Sequence, residues 1–136
     1  MARLARVHHL ALTVTDVDRS VPWYVRVLGF EVAARSEDVE FGLRRVELHA
    51  PGDGFSVVLV EHAYAERPPF NERHTGLDHV AFAVASCAEL GRWERKLADH
   101  GVGYNAVERP PGRTVVVFRD PDGIQLEILA DTTDPA

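Results

Sequence analysis

Apolar and polar residues alternate in two stretches of the chain, and each stretch is followed by a segment with helical spacing. Residues 7–14 and 77–84 alternate with a period of two, which is typical of half-buried strands. Residues 18–28 and 87–99 place their apolar side chains on one helical stripe. Further alternating segments predict three more strands after each helix, at 30–37, 42–49 and 55–62 and then at 103–108, 113–119 and 124–130. The pattern therefore predicts two successive βαβββ modules.

The two modules also share individual residues, which indicates an internal repeat. Three residues of the first module recur 70 positions later, namely His9 as His79, Val14 as Val84 and Trp23 as Trp93. The turn sequence PGDG at 51–54 is matched by DPDG at 120–123, an offset of 69. A strand, a helix and a turn repeated in one order are typical of duplicated units. We expect a single domain over residues 1–136, with module one at about 5–63, a linker at about 64–76 and module two at about 77–131.

The composition is that of an ordinary globular protein. Of the 136 residues, 46% are hydrophobic and 26% are charged, which is typical of neither a membrane-spanning nor a disordered chain. The net charge of −6 argues against nucleic acid or an anionic membrane as a partner and favours a small molecule. The first residues, MARLARVHHL, contain no apolar signal segment, so we expect a cytoplasmic location.

The alternation along the strands places two histidines and one carboxylate on the side of the sheet that faces away from the helices. His9, His79 and Glu127 each alternate with a fully apolar set of residues, which should pack on the helices and turn the three polar side chains away from them. Small neighbours leave space beside the histidines, namely Ala11, Ala81 and Ala83. If the sheet curls, the three polar side chains point into a common cup. Two imidazoles and one carboxylate suit Fe(II), Mn(II) and related divalent ions, and they leave coordination positions open for a substrate.

The tandem plan resembles that of the vicinal oxygen chelate superfamily, and the resemblance is carried by the segments HHLALTVTD, WYVRVLGF, GLDHVAFAV and FRDPDGIQLEIL. This superfamily contains glyoxalase I, bleomycin-resistance proteins, fosfomycin-modifying thiol transferases and type I extradiol dioxygenases. The resemblance implies an α+β fold in which two βαβββ modules form a curved, cup-shaped mixed β-sheet with the helices outside. It also implies a homodimer, and a metal bound by the histidine of each first strand and the acidic residue of each fourth strand. Here His9, His79 and Glu127 match three of those four places.

The fourth place departs from the pattern of the superfamily. By the offset of 69, Glu127 corresponds to Val58, which cannot coordinate a metal. Glyoxalase I typically fills all four places, whereas extradiol dioxygenases and fosfomycin thiol transferases manage with three, so the chain resembles the latter two better. His62, which shares the strand parity of Val58 and Val60, is an alternative fourth ligand.

Other residues are candidates for contact with a substrate. A proton shuttle would come from a residue whose pKa the site can tune, and the candidates are His62, His49 and Tyr104. An apolar lining for a partly apolar substrate is predicted from Val58, Val60, Val116 and Phe118, with Glu47 as a further substrate contact.

Two functions of different classes fit these residues. The first is a divalent-metal-dependent enzyme whose substrate chelates the ion through two neighbouring oxygens. Fe(II) would favour ring cleavage by dioxygen, whereas Mn(II), Ni(II) or Zn(II) would favour lyase, isomerase or transferase chemistry. The alternative is a metal-free, bleomycin-resistance-like protein that sequesters a drug-like molecule, with Glu127 paired to an arginine such as Arg44, Arg45 or Arg113. Whether the modules pair within one chain or across a dimer stays open.

Overall fold

A computed structural model describes residues 1–52, 54–64, 68–109 and 112–130. The chain divides into two compact units, Met1–Pro68 and Pro69–Ala136. Within the described residues, no helix combines the length and the apolar composition that a membrane span needs.

The first unit is a four-stranded mixed sheet with one helix. Strand β1 runs parallel to β4, while β4 with β3 and β3 with β2 are antiparallel, so the order across the sheet is β1-β4-β3-β2. The elements are β1 (His9–Thr13), α1 (Val17–Leu28), β2 (Glu31–Asp38), β3 (Leu43–His49) and β4 (Ser56–His62).

The second unit repeats this plan. Its order across the sheet is β5-β8-β7-β6. As in the first unit, the strand before the helix runs parallel to the last strand of the unit, here β5 to β8, and the other two pairs are antiparallel. The elements are β5 (Val80–Val84), α2 (Cys87–Asp99), β6 (Tyr104–Arg109), β7 (Arg113–Arg119) and β8 (Gln125–Ala130). The predicted pair of βαβββ modules in an α+β fold is confirmed.

Both helices begin and end at residues suited to those positions. The Asp16 side chain accepts a hydrogen bond from the backbone N–H of Asp18 at 2.9 Å, and Ser86 Oγ accepts one from Glu89 at 3.2 Å. These bonds satisfy amide groups that have no partner inside the helix. Helix α1 ends at Gly29, whose φ of 76° lies in the left-handed region that only glycine adopts freely.

In each unit the helix covers one face of its sheet. Helix α1 packs on β3 and β4, where Leu48 and Leu59 are fully buried, and α2 packs on β5, β6 and β8. Leu126 and Ile128 of β8 are buried on that side as well. Edge strand β2 is exposed along nearly its whole length and carries charged residues, as expected for a solvated edge. In each unit the side of the sheet that faces the helix therefore forms the core, and His9 and Glu127 lie on the opposite side.

The DPDG turn fixes the start of β8. Asp120 is buried, and its Oδ1 accepts hydrogen bonds from the backbone N–H of Asp122 at 2.8 Å and of Ile124 at 2.9 Å. Gly123 takes a φ of 80°, which closes the turn. Because Ile124 is buried immediately after the turn, the alternation that follows aims Leu126 at the helix and Glu127 at the opposite face.

Candidate functional site

A buried carboxylate stands in the middle of the second sheet. Glu127 lies on the inner strand β8, paired with Ala81 of β5 on one side and Val117 of β7 on the other, and only 5% of its surface is exposed. The small side chain of Ala81 leaves space beside it. Because an ionised carboxylate is costly to bury, Glu127 needs a cation nearby.

His79 provides one partner for this carboxylate. Its Nε2 lies 3.5 Å from Glu127 Oε2, and its Nδ1 lies 2.7 Å from Asp78 Oδ1. A carboxylate can only accept, so Nδ1 carries the proton that is donated to Asp78. In the neutral ring this leaves Nε2 as an acceptor facing a second acceptor, Glu127 Oε2. A cation shared by these two atoms, either a proton or a metal ion, satisfies both.

The pair fits a divalent metal on the chemistry of its donors. In many metal sites a carboxylate accepts a hydrogen bond from the histidine nitrogen that does not bind the metal, and this bond orients the ring. Asp78 accepts such a bond from Nδ1 of His79. Two ligands at right angles, each ~2.1 Å from one ion, lie ~3 Å apart, and the Nε2–Oε2 separation of 3.5 Å is close to that value. His79 and Glu127 can therefore act as ligands without a large movement of either side chain.

Arg109 provides the other cationic contact. Its Nη2 lies 3.8 Å from Glu127 Oε1, an ionic contact that is too long for a hydrogen bond. The arginines predicted from the sequence for such a pairing were Arg44, Arg45 and Arg113, and in the part of the chain that the structure describes none of them forms an ion pair with Glu127. Arg44 instead contacts Asp18 and Glu61 at 3.0 Å each and Glu37 at 3.6 Å, and the pKa of its guanidinium is raised by the hydrogen bonds to Asp18 and Glu61.

The loop before His79 is tied to the turn before Glu127. The Arg119 guanidinium donates to Glu72 at 2.9 and 3.1 Å and to the carbonyl oxygen of Gly123 at 3.0 Å. The hydrogen bond from Arg119 lowers the pKa of Glu72 to about 2, and the same contact raises the pKa of Arg119. This clamp joins the segments that lead into β5 and β8, and so supports the positions of both candidate ligands.

His9 occupies the equivalent place in the first unit. It is exposed at the start of β1, and its Nδ1 lies 2.9 Å from Nδ1 of His8. In the strand register Ala11 pairs with Val58, as Ala81 pairs with Glu127. Val58 therefore stands where Glu127 stands in the second unit, which confirms the alignment of the two modules inferred from the turns.

The other predicted residues of the first unit share the face of His9. Direct pairing of Thr13 with Val60 and of Glu47 with Val58 places these side chains on one side of the sheet. His49 and Glu47 make an ion pair at 2.9 Å. His62 lies at the end of β4 on the same face, which it shares with His9, Glu47, His49, Val58 and Val60.

Three residues predicted to join Glu127 lie on the opposite face. Phe118 pairs with Leu126 and Val116 pairs with Ile128, so both are buried under the helix and the expectation that they line the site is wrong. Tyr104 pairs with Phe118 and therefore also faces the helix side. The error was in the assignment of residues of β7 to the two faces of the sheet. Three successive valines show no alternation of apolar and polar residues, so the sequence alone does not indicate which of them face the helix. The face of Glu127 carries Val115 and Val117 instead.

The structure brings together two of the three predicted metal ligands. His79 and Glu127 meet in the second unit, whereas His9 belongs to the first. In the described ranges, no group of three or more His, Cys, Asp or Glu side chains is arranged to hold a metal ion. The three-ligand set stays a prediction.

Two residues of the site were missed from the sequence. Arg109 lies one residue beyond the strand predicted at 103–108, although its parity with Asn105 and Val107 would have placed it on the face of Glu127. Asp78 precedes His79 directly, and in an extended strand a neighbouring residue points away, so only the irregular backbone before β5 allows their contact.

Comparison with known proteins now gives the family. The family model of the Glyoxalase/Bleomycin resistance protein/Dioxygenase superfamily matches residues 6–128. The chain belongs to this superfamily. A crystal structure of a glyoxylase/bleomycin resistance protein/dioxygenase domain from Frankia sp. EAN1pec is 34% identical and superimposes with a TM-score of 0.84, covering 94% of this chain and 98% of that one.

Relatives within the Glyoxalase/Bleomycin resistance protein/Dioxygenase superfamily have different activities. Catechol-2,3-dioxygenase of Bacillus subtilis is 30% identical over 126 residues, which are 92% of this chain but only 41% of the relative. Lactoylglutathione lyase of Escherichia coli O157:H7 is 29% identical over 131 residues, which are 93% of each protein. The resemblance inferred from the sequence is confirmed, and the relatives divide between the two kinds of chemistry that it implied.

Proposed function

We propose that this protein is an enzyme that depends on a divalent metal and acts on a small substrate with two neighbouring oxygens. In this proposal His79 and Glu127 coordinate the ion together with His9 of the first unit. The observation that carries it is the buried carboxylate of Glu127 facing the Nε2 atom of His79, while Nδ1 is engaged by Asp78. A metal ion shared by His79 Nε2 and Glu127 Oε2 would satisfy both atoms, and relatives in the superfamily are enzymes.

Each residue has a defined task in this mechanism. Asp78 holds the imidazole of His79 in one tautomer and orientation, and Glu127 contributes negative charge from a position shielded from water. When bound, the metal supplies Lewis-acid stabilisation of an oxyanion that develops on the chelating substrate. Val117, which is half-buried on the face of Glu127, gives that face an apolar surface that suits a partly apolar substrate. We assign proton transfer to His49 or His62, which share the face of His9.

Dioxygenase chemistry with Fe(II) is our first candidate reaction, and lyase or isomerase chemistry with Mn(II), Ni(II) or Zn(II) is the second. Val58 occupies the place equivalent to Glu127, so the first unit offers no carboxylate there. This favours the three-ligand chemistry that the sequence indicated. Oxygen uptake with catechol, compared with formation of S-lactoylglutathione, separates the two reactions.

The ligand set is tested by metal binding. Isothermal titration of the chelator-treated protein with Mn(II) should give one ion per chain, and His79→Ala and Glu127→Gln should each weaken binding by at least about 100-fold. His9→Ala should have a comparable effect, and His74→Ala, in an exposed loop of the second unit, should have none. Full metal occupancy in His79→Ala would show that His79 is not a metal ligand and would contradict the proposed site.

One contact favours a second function. The ionic contact between Arg109 and Glu127 compensates the buried carboxylate in part without a metal, as a drug-sequestering protein of the bleomycin-resistance type would require. Tight binding of an intact apolar ligand by the chelator-treated protein, with no turnover under any metal, would decide for this alternative.

The superfamily also suggests an assembly and a location. We propose a homodimer that works in the cytoplasm on a small-molecule substrate. Light scattering coupled to size-exclusion chromatography measures the mass directly, and a single-chain mass at micromolar concentration would refute the dimer.

A further inference from the structure

Two arginines face each other on the surface that carries Glu127. Arg109 of β6 pairs directly with Arg113 of β7, so both side chains leave the sheet on the same side. Val117 of β7 pairs with Glu127, and Arg113 has the same strand parity as Val117. Glu127, Arg109 and Arg113 therefore share one face of the second sheet. Like charges directly opposite each other on a sheet repel, which disfavours this pairing unless an anion lies between them.

The environment of Arg113 shows an unused donor. Its Nε atom is buried and has no hydrogen-bond partner within the described part of the chain. A guanidinium N–H that is cut off from water and lacks an acceptor is unfavourable in the absence of a ligand. In contrast, both terminal nitrogens of Arg119, on the same strand and face, donate hydrogen bonds, Nη1 to Glu72 and Gly123 and Nη2 to Glu72 and Gln125.

Arg109 is only loosely held. Its contact with Glu127 is 3.8 Å long, and about half of its side chain, 54%, is exposed. It thus keeps its hydrogen-bond donors available while its charge is partly balanced by Glu127. When Glu127 binds a metal ion, its negative charge compensates the charge of Arg109 less. An anion beside Arg109 is then bound more favourably.

We propose that Arg109 and Arg113 form an anion subsite that binds a carboxylate of the substrate. A planar carboxylate matches the fork of a guanidinium and can accept hydrogen bonds from both arginines at once. The subsite lies on the same face as Glu127, so it would hold one end of a substrate whose neighbouring oxygens reach the metal. This assignment rests on the proposed function for its role in catalysis, and it selects small carboxylic acids over neutral compounds.

The first experiment needs no metal and therefore tests the subsite alone. Benzoate is titrated into chelator-treated protein, and Arg109→Gln and Arg113→Gln should each weaken its binding by at least about tenfold. Arg95→Gln, on helix α2, is the matched control and should stay within about twofold of the wild type. Circular dichroism establishes that Arg113→Gln is folded, and the exposed Arg109 provides an independent variant if it is not.

The variant Glu127→Gln separates the subsite from the metal centre. Removal of the competing carboxylate should raise benzoate affinity by several-fold, whereas the same change should weaken Mn(II) binding by at least about 100-fold if the proposed function is right. Loss of metal binding without a gain for benzoate contradicts the anion subsite only. A gain for benzoate with unchanged metal affinity contradicts the ligand assignment only.

The second experiment tests the role in substrate selection. In Mn(II)-loaded protein, 3,4-dihydroxybenzoate should bind at least about tenfold more tightly than catechol, because only the former carries a carboxylate. In Arg113→Gln this preference should fall to about one, with catechol affinity unchanged. A phosphonate analogue that binds better than the carboxylate would show that the subsite is built for another oxyanion. An equal preference in the wild type and in Arg113→Gln, or no benzoate binding to either wild type or Glu127→Gln, would overturn the assignment.

Discussion

Glu127 shows how a single residue acquires its character from its neighbours. In the sequence it is one acid in an apolar strand, where a solvated face would be the ordinary interpretation. In the fold it is 5% exposed and faces His79 and Arg109. Burial raises the free energy of its charged form. The same burial strengthens the attraction between the carboxylate and a cation, because water no longer screens the charge.

At the same scale, Glu72 should report on the clamp that supports the site. Its pKa is about 2 because Arg119 hydrogen-bonds to the carboxylate, against 4.5 for the free group. Since folding lowers this pKa, the bridge stabilises the fold fully above pH 4.5 and is lost as the pH falls toward 2.

An NMR titration of the Glu72 side-chain carboxyl tests this prediction. The midpoint should lie near 2 in the wild type and move toward 4.5 in Arg119→Gln. The control variant Arg95→Gln should leave the Glu72 midpoint where it is in the wild type. A midpoint near 4.5 in the wild type would show that the bridge does not form in solution.

At the scale of the element, the strands and helices follow the sequence closely. Helix α2 spans Cys87–Asp99, the range predicted from its apolar stripe, and β7 spans Arg113–Arg119 as predicted. These boundaries were predictable because period and capping are local properties. The face of β7 was not, since a strand with valines at successive positions contains no alternation to read, and only pairing with β8 reveals that Val116 is inside and Val117 is beside Glu127.

The two helix caps give a prediction that exploits the repeat. Asp16 and Ser86 each accept a hydrogen bond from an amide in the first turn. Asp16→Ala and Ser86→Ala should each lower the free energy of unfolding by about 1 kcal/mol, whereas Asp16→Asn and Ser86→Thr should retain most of it. Urea unfolding followed by circular dichroism measures both pairs. Alanine variants as stable as the wild type would mean that these bonds contribute nothing net.

At the scale of the whole molecule, the proposed metal should appear as stability. A ligand that binds only the folded state stabilises it by about 2.7 kcal/mol when present at 100 times its dissociation constant. Mn(II) should therefore raise the melting temperature of the wild type by about 10 °C and leave that of Glu127→Gln nearly unchanged.

If titration shows Mn(II) binding but the melting temperature does not change, the unfolded chain binds the ion as well as the folded protein does, which contradicts a site built by the fold. Asp78→Asn offers a graded control. It should keep the fold and retain weakened metal binding, because it perturbs the orientation of His79 without removing a ligand.

The sequence by itself determined the two βαβββ modules, their equivalence and the two residues, His79 and Glu127, that the second unit brings together. These are consequences of hydrophobic period, turn chemistry and repetition, all of which act over a few residues. Tertiary structure alone decided which side of β7 faces Glu127, that Arg109 reaches it, and that Asp78 holds His79. Such contacts join residues that are distant in the chain or lie where the backbone is irregular, and there local spacing does not define the direction of a side chain.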